Sequence, residues 1–540
     1  MKSAGLSRRT VLAAPLWLAA CDKPEPMQGG WIGASHARGH MLREAPRFTP
    51  STTQRCAVAV VGAGVAGLAA ARALTRAGID DVQIFELEDA AGGNARGHAI
   101  AGMACPLGAH YLPLPGPDAH EVSELLHELG LLRTQAGRTV ANERHLCHSP
   151  QERLWIDGQW IDGLLPPAER GSARERQYQR FAALVAQAAR ELRFAIPSAR
   201  TGKDTGWSAG HAALDAQTFA QWLDAQGLIE PSLRWYLDYA CRDDYGAGTR
   251  SVSAWAGLHY FASRHGFHAP GDGDAPEREA VFTWPEGNAW LTRQLAAPLG
   301  DRLSVAALVR RIDVARHEAA LDVSRGERIE RWLAQQVVVA LPLHVAARIV
   351  TPAPAALVEA AAQVMHAPWL VANLHLRAPL TDKPGAPPSW DNVLFTPGPG
   401  SGALGYVDAM HQSLRPVPGP TVLTAYWALG DGDRAALARQ RQALLDEPWQ
   451  RWARRVIDDI ARAHPDLPAK TARIDLMRYG HAMAIPKPGL RGSAALRALA
   501  RPATPRLHFA HSDLAAYSIF EEAFTLGHAA GVAAARALRG

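Results

Sequence analysis

Residues 56–74 read CAVAVVGAGVAGLAAARAL, and this stretch decides the fold. Residues 57–61 form a short, continuous apolar run, the pattern of a parallel strand covered on both faces. Gly62-Ala63-Gly64-Val65-Ala66-Gly67 comes next, and then a helix of small residues that Gly78 stops. A second strand, residues 82–86, ends in Glu86, 19 residues beyond Gly67. Each part has a physical task. Gly62 makes the tight turn, Gly64 lets a ligand approach the backbone, and Gly67 allows close helix–strand packing. The helix start around Ala66 offers free N–H groups and a positive dipole end to phosphates. Glu86 is placed to accept hydrogen bonds from ribose hydroxyls. A glycine loop inside a complete strand–helix–strand unit, with its acid, predicts a bound dinucleotide.

The flanking motifs narrow the choice of dinucleotide. Residues 87–96, LEDAAGGNAR, bring a second glycine pair, Gly92-Gly93, with Asn94 and the basic Arg96. Residues 106–111 read PLGAHY and contain Gly108, Ala109, His110 and Tyr111. Residues 335–342, QQVVVALP, form another buried strand that ends at Pro342, and Val309-Arg310-Arg311-Ile312 precedes it. Near the C-terminus, LHFAHSD (507–513) is followed by IFEEA (519–523) and a helix of small residues. These motifs together resemble the flavin amine oxidoreductase superfamily, and they span nearly the whole chain.

The resemblance implies an α/β fold: a Rossmann-like FAD-binding domain interleaved with an α+β substrate domain, as in amine oxidases. It implies noncovalent FAD. The glycine pair with Asn94 and Arg96 would approach the diphosphate, and Gly108-Ala109-His110 would run beside the isoalloxazine. Val309 would contact the adenine side through its backbone. Asp513, with Ser512, would face the ribityl hydroxyls, and the Glu522-Ala523 backbone would face the flavin pyrimidine. His511 and Glu522 stand where the family has glycine. The family's hydride-transfer chemistry makes His110, Tyr111, Tyr479, His481 and Tyr517 the catalytic candidates, with Tyr406 and Trp427 as further aromatic walls.

Segments 55–113, 282–350 and 491–540 are assigned to the FAD-binding domain, and 114–281 with 351–490 to the substrate domain. Within the latter, Trp155 to Trp160 predicts a hairpin with an Asp-Gly turn. Phe181, Leu184, Val185, Ala188 and Leu192 share a helix face. Phe219, Trp222 and Leu223 share another, capped by Asp215 and stopped by Gly227.

The chain also opens with Arg8-Arg9 before an apolar run that ends Leu18-Ala19-Ala20-Cys21. That run is too short to span a bilayer. It resembles a twin-arginine signal (residues 1–20) with a lipoprotein cleavage site before Cys21. A folded, FAD-loaded protein could leave the cytoplasm by that route and stay on the membrane surface through a lipid at Cys21. Residues 21–54, rich in Gly, Pro, Ser and Thr, read as a flexible tether reaching roughly 30 Å. The formal net charge of +5 comes with arginines spread along the chain rather than clustered, which argues against a nucleic-acid partner. The five cysteines show no metal-ligand spacing, so no metal site is expected.

Three functions follow as expectations: an amine oxidase or dehydrogenase, a desaturase of a lipophilic C–C bond, or a noncatalytic electron carrier. Many amine oxidases carry a lysine on the strand that corresponds to residues 369–376, and this chain has none there. Oxygen or a membrane quinone is the electron acceptor, and the missing lysine favours the quinone.

Overall fold

The computed structural model describes residues 27–44, 49–147, 151–198, 207–267, 280–398, 402–412, 417–500 and 505–540. The signal-like stretch 1–20 and Cys21 lie outside the described residues. Among those described, two eight-stranded sheets form the scaffold. Six strands place the site: β1 (Gln28–Ile32), β2 (Thr52–Val61), β3 (Val82–Phe85), β4 (Arg328–Val339), β5 (His366–Leu376) and β6 (Thr471–Ala484). Three helices act with them: α1 (Val65–Arg76), α2 (Pro231–Tyr245) and α3 (Phe520–Arg539).

In the first sheet β2 runs parallel to β3 on one side and to β4 on the other. Its apolar run is continuous because both faces are covered. Val58 and Val60 pack with α1 and α3, whereas Ala59 and Val61 pack beneath Leu343, Ala346 and Leu357. The short strand Leu507–Phe509 joins β4 in parallel at Val337 to Val339 and delivers the chain to α3. Helices α1 and α3 cross on small residues. A Cβ at Gly527 would stand 2.0 Å from the Ala66 carbonyl oxygen, and one at Gly531 2.5 Å from that of Ala70. Glycine at these positions lets the two backbones touch.

In the second sheet β5 is antiparallel to both Thr421–Ala428 and β6. β1 extends this sheet by pairing in parallel with β6. This corrects the tether reading, because residues 28–44 fold onto the body of the protein. The glycines of QGGWI serve close approach rather than flexibility: a Cβ at Gly29 would lie 1.8 Å from the Ile474 carbonyl oxygen. Trp31 then packs under the Arg478 guanidinium, 4.5 Å from its ring centroid. Beyond the strand, the Ser35 N–H donates to the Glu88 carboxylate at 3.0 Å and Arg38 pairs with Asp89 at 2.9 Å. The N-terminal segment thereby ties the second sheet to the loop after β3.

The predicted hairpin forms between Glu152–Ile156 and Gln159–Asp162, with Asp157 and Gly158 both at positive φ. Helix Phe219–Ala225 is capped by Thr218, not Asp215, which ends the preceding helix and instead accepts from the Gly492 N–H at 3.0 Å. None of the four described cysteines, Cys56, Cys105, Cys147 and Cys241, forms a disulfide among the described residues.

Candidate functional site

A cleft runs along the C-terminal ends of β2, β3 and β4 and encloses about 1270 Å³ of atom-free space, its open mouth included. Gly62, Gly64 and Ala66 form its floor, Glu86 one wall, and Gly92, Gly93 and Asn94 the edge above them. Val309, Pro342 and Ala109 close the sides, and Ser512 and Ala523 close the end. The glycines differ in purpose. Gly62 has φ +97°, and a Cβ there would meet the Ala340 carbonyl oxygen at 2.5 Å. A Cβ on Gly67 would lie 1.8 Å from the Gly62 oxygen. A Cβ built on Gly64 would come no closer than 3.8 Å, to the Gly93 Cα, so this position is open to the cleft.

Electrostatics agree with this shape. Neither α1 nor α3 has a side-chain cap at its N-terminus, so both helices present unpaired N–H groups and positive dipole ends where Gly64, Ile519 and Phe520 line the cleft. Glu86, nearly buried, accepts from the Ala63 and Glu88 N–H groups at 2.8 and 2.9 Å, and burial raises its pKa. An anionic diphosphate between two uncapped helices, with a ribose against Glu86, fits what these residues offer.

Four residues named from the sequence stand behind the cleft rather than on its wall. Gly67 serves helix–strand packing. Arg96 braces the glycine pair by donating to the Gly93 and Gly33 carbonyls at 3.2 and 3.3 Å. Asp513 sits in a tight turn, Ser512–Ala515, that sends Ser512 to the cleft and buries the acid beside it. Its carboxylate accepts from the Leu343 N–H at 2.9 Å and pairs with His366 at 3.0 Å and His511 at 3.2 Å. Burial works against that charge, but the two imidazoles hold the Asp513 carboxyl well below the usual range. Glu522 likewise turns into the core, accepting from the Tyr517 hydroxyl at 2.6 Å and from the Ser198 N–H. Phe520 and Ala523 are the α3 residues that line the cleft.

A second chamber, about 800 Å³ of atom-free space, shares Asn94, Ala109, Ala482, Ser518, Ile519 and Phe520 with the cleft. Gly108, His110, Tyr111 and Tyr479 line it. His110 stacks on Tyr426 with ring centroids 4.4 Å apart, and burial pushes its pKa down to about 3, so the ring is neutral. The Tyr479 and Tyr426 hydroxyls donate to the Leu107 and Gly108 carbonyls at 2.8 and 3.2 Å, which fixes both rings as walls. His481 lines the cleft instead, stacked on His344, and burial lowers its pKa.

Three aromatic candidates fall outside both cavities. Tyr517 is fully buried, its hydroxyl spent on Glu522. Tyr406 is bonded to His464 at 2.6 Å, and Trp427 packs in the core on the far side of the second sheet. In their place the chamber is lined by Asp243, Asp244, Arg264, Asn288, Trp369 and Glu521, none of them among the site candidates read from the sequence. The arrangement can hold a dinucleotide whose reactive end reaches the junction, with a small molecule in the chamber.

Comparison with known proteins agrees. The profile described as flavin containing amine oxidoreductase matches residues 65–537. A putative flavin-containing monoamine oxidase, AofH, of Mycobacterium tuberculosis is 31% identical over 272 residues, 49% of this chain and 53% of that protein. The chain thus spans about half the length of that relative. Putrescine oxidase bound to putrescine superposes with a TM-score of 0.63 at 19% identity, covering 89% of this chain and 99% of that one. Cyclohexylamine oxidase from Brevibacterium oxydans gives 0.63 at 19% identity, covering 90% and 100%. With the fold, the cleft and the profile in agreement, the chain belongs to the flavin-containing amine oxidoreductase family.

Proposed function

We propose that this protein binds FAD noncovalently in the cleft and oxidises the C–N bond of a small-molecule amine held in the chamber. The observation that carries this is the junction: the dinucleotide cleft opens into an aromatic, acid-lined chamber through six shared residues. FAD, when bound, would supply the acceptor for a hydride from the carbon α to nitrogen; the imine so formed would be hydrolysed by water to a carbonyl compound and a smaller amine or ammonia. The rest is the chain's own work. Tyr111, Tyr426, Tyr479 and Trp369 shape the chamber and exclude water. Their ring faces favour a nitrogen carrying positive charge. Neutral His110 adds no charge against the incoming amine. A lipophilic C–C substrate fits less well, since it would desolvate Asp243, which has no cation beside it.

Two further readings belong to this proposal. β5 carries no lysine, and Trp369 is its residue on the chamber wall, so a quinone rather than oxygen takes the electrons. The Arg8-Arg9 pair and Cys21 support a location outside the cytoplasm, on the membrane surface. Arg8→Lys with Arg9→Lys should retain FAD-loaded precursor in the cytoplasm; normal export of that variant contradicts the route. The function itself is tested by mixing the purified yellow protein, without oxygen, with a panel of amines and of fatty acids. Bleaching of the flavin by an amine supports it. Bleaching by fatty acids alone, or by nothing, overturns it.

A further inference from the structure

The chamber's charge is out of balance. Asp243, Asp244 and Glu521 face a single guanidinium, Arg264, and neutral His110 adds nothing. Arg264 is already engaged: it pairs with Glu521 and faces Asp244. Asp243 has no such partner. Among the described residues nothing donates to its carboxylate, and its charged neighbours are Asp244, Glu152 and Asp391, all acids. The local structure makes this costlier. Asp243 and Asp244 lie in the last turn of α2, which ends at Tyr245 with Gly246 as its left-handed cap. Free carbonyls at a helix C-terminus repel negative charge, so acids there break an ordinary preference. Breaks of this kind gather at functional sites.

A second observation points the same way. Asn288 is 1% exposed and lines the chamber. Its Nδ2 donates to the Tyr111 carbonyl at 2.8 Å, which fixes the amide's orientation. Its Oδ1 is buried with no hydrogen-bond partner. A buried acceptor left unpaired calls for a donor from elsewhere. The same chamber is lined by Asp243, a carboxylate with the same need, so the missing group is an N–H-bearing cation.

That cation is not the nitrogen being oxidised. The reacting amine must lie at the junction with the cleft, around Asn94, Ala109 and Ala482, and must be neutral to release hydride. Asp243, Asp244, Arg264 and Asn288 line the chamber alone. We infer that the substrate is a di- or polyamine, whose second, protonated nitrogen is held by Asp243 and Asp244 with Asn288 while the first is oxidised at the junction. This rests on the amine-oxidising reading and adds a substrate class and a specificity site to it.

The test compares α,ω-diamines with chain-matched monoamines on the FAD-loaded protein, following flavin reduction without oxygen. Wild type should favour the diamine in rate over dissociation constant by about tenfold or more, the range for a charge-assisted hydrogen bond. Asp243→Asn should cut the diamine-to-monoamine ratio by about tenfold, and Asp243→Glu should restore part of it. Equal use of both substrates by wild type, an equal loss on both in Asp243→Asn, or preference for an ω-amino acid overturns the inference. Calorimetric binding of a non-oxidisable alkane bis-guanidinium separates this from the parent proposal. Binding that Asp243→Asn weakens by about tenfold supports the dication site even if no amine reduces the flavin, and binding indifferent to the variant sinks it. Flavin content and melting temperature of each variant show that it is folded.

Discussion

Gly64 and Gly67 stand three residues apart in one loop and answer to different neighbours. A methyl group on Gly64 enters open cleft, and one on Gly67 drives into the Gly62 carbonyl. Gly64→Ala should therefore leave the apoprotein's melting temperature within about 2 °C of wild type, as for substitutions that touch nothing, while weakening FAD binding by about tenfold or more. Gly67→Ala should cost about 1–3 kcal/mol through overpacking and lower the melting temperature with or without FAD. Melts and FAD titrations of both variants check this. Asp243 gives a pH test. Burial first, then Asp244 and Glu152, push its pKa up to about 7, and that of Asp244 rises to about 6. A carboxyl whose folded pKa exceeds its unfolded value adds no penalty below the unfolded pKa of 3.8 and a growing one up to about 7. Asp243→Asn should thus raise the melting temperature near pH 8 and leave it unchanged near pH 4. An equal shift at both pH values contradicts the assignment.

At the scale of elements, β2, α1 and β3 were legible because their signals are local: an apolar run, a glycine loop, a helix of small residues and an acid all lie within residues 57–86. β1 was not. QGGWI has two glycines in five residues, and its partner β6 lies more than four hundred positions away. Composition suggested a tether, whereas the glycines fit against the Ile474 carbonyl. Deleting residues 27–44 should uncover the β6 edge, a template for self-pairing. The truncated protein should melt lower and scatter light on warming; unchanged melting and solubility would contradict a structural role for β1. The acids of α2 were missed for a related reason. ACRDDYG reads as a charged helix end, and only the fold carries it to the chamber. The one available signal was the pair of acids at the unfavourable end of the helix dipole. Asp513 shows the converse: the motif named the acid, and the turn presented Ser512 instead.

For the molecule as a whole, folding of β1 shortens the connection to Cys21 to six residues, 22–27. Fully extended, that spans roughly 20–25 Å, so a lipid at Cys21 would hold the body close to the membrane. Such placement suits a quinone acceptor. Reduced enzyme should be reoxidised faster by a soluble quinone analogue than by dissolved oxygen in stopped flow; oxygen rates equal to or above quinone rates contradict it. The central claim, amine oxidation at FAD held in the cleft, meets its most direct test in an anaerobic titration with product counting. The account predicts that one equivalent of a diamine bleaches one equivalent of bound flavin and yields one equivalent of an amino-aldehyde or its cyclic imine, and that denaturation then releases all the flavin as FAD. Flavin that stays oxidised in the presence of every amine, or that remains attached to the denatured chain, would contradict it.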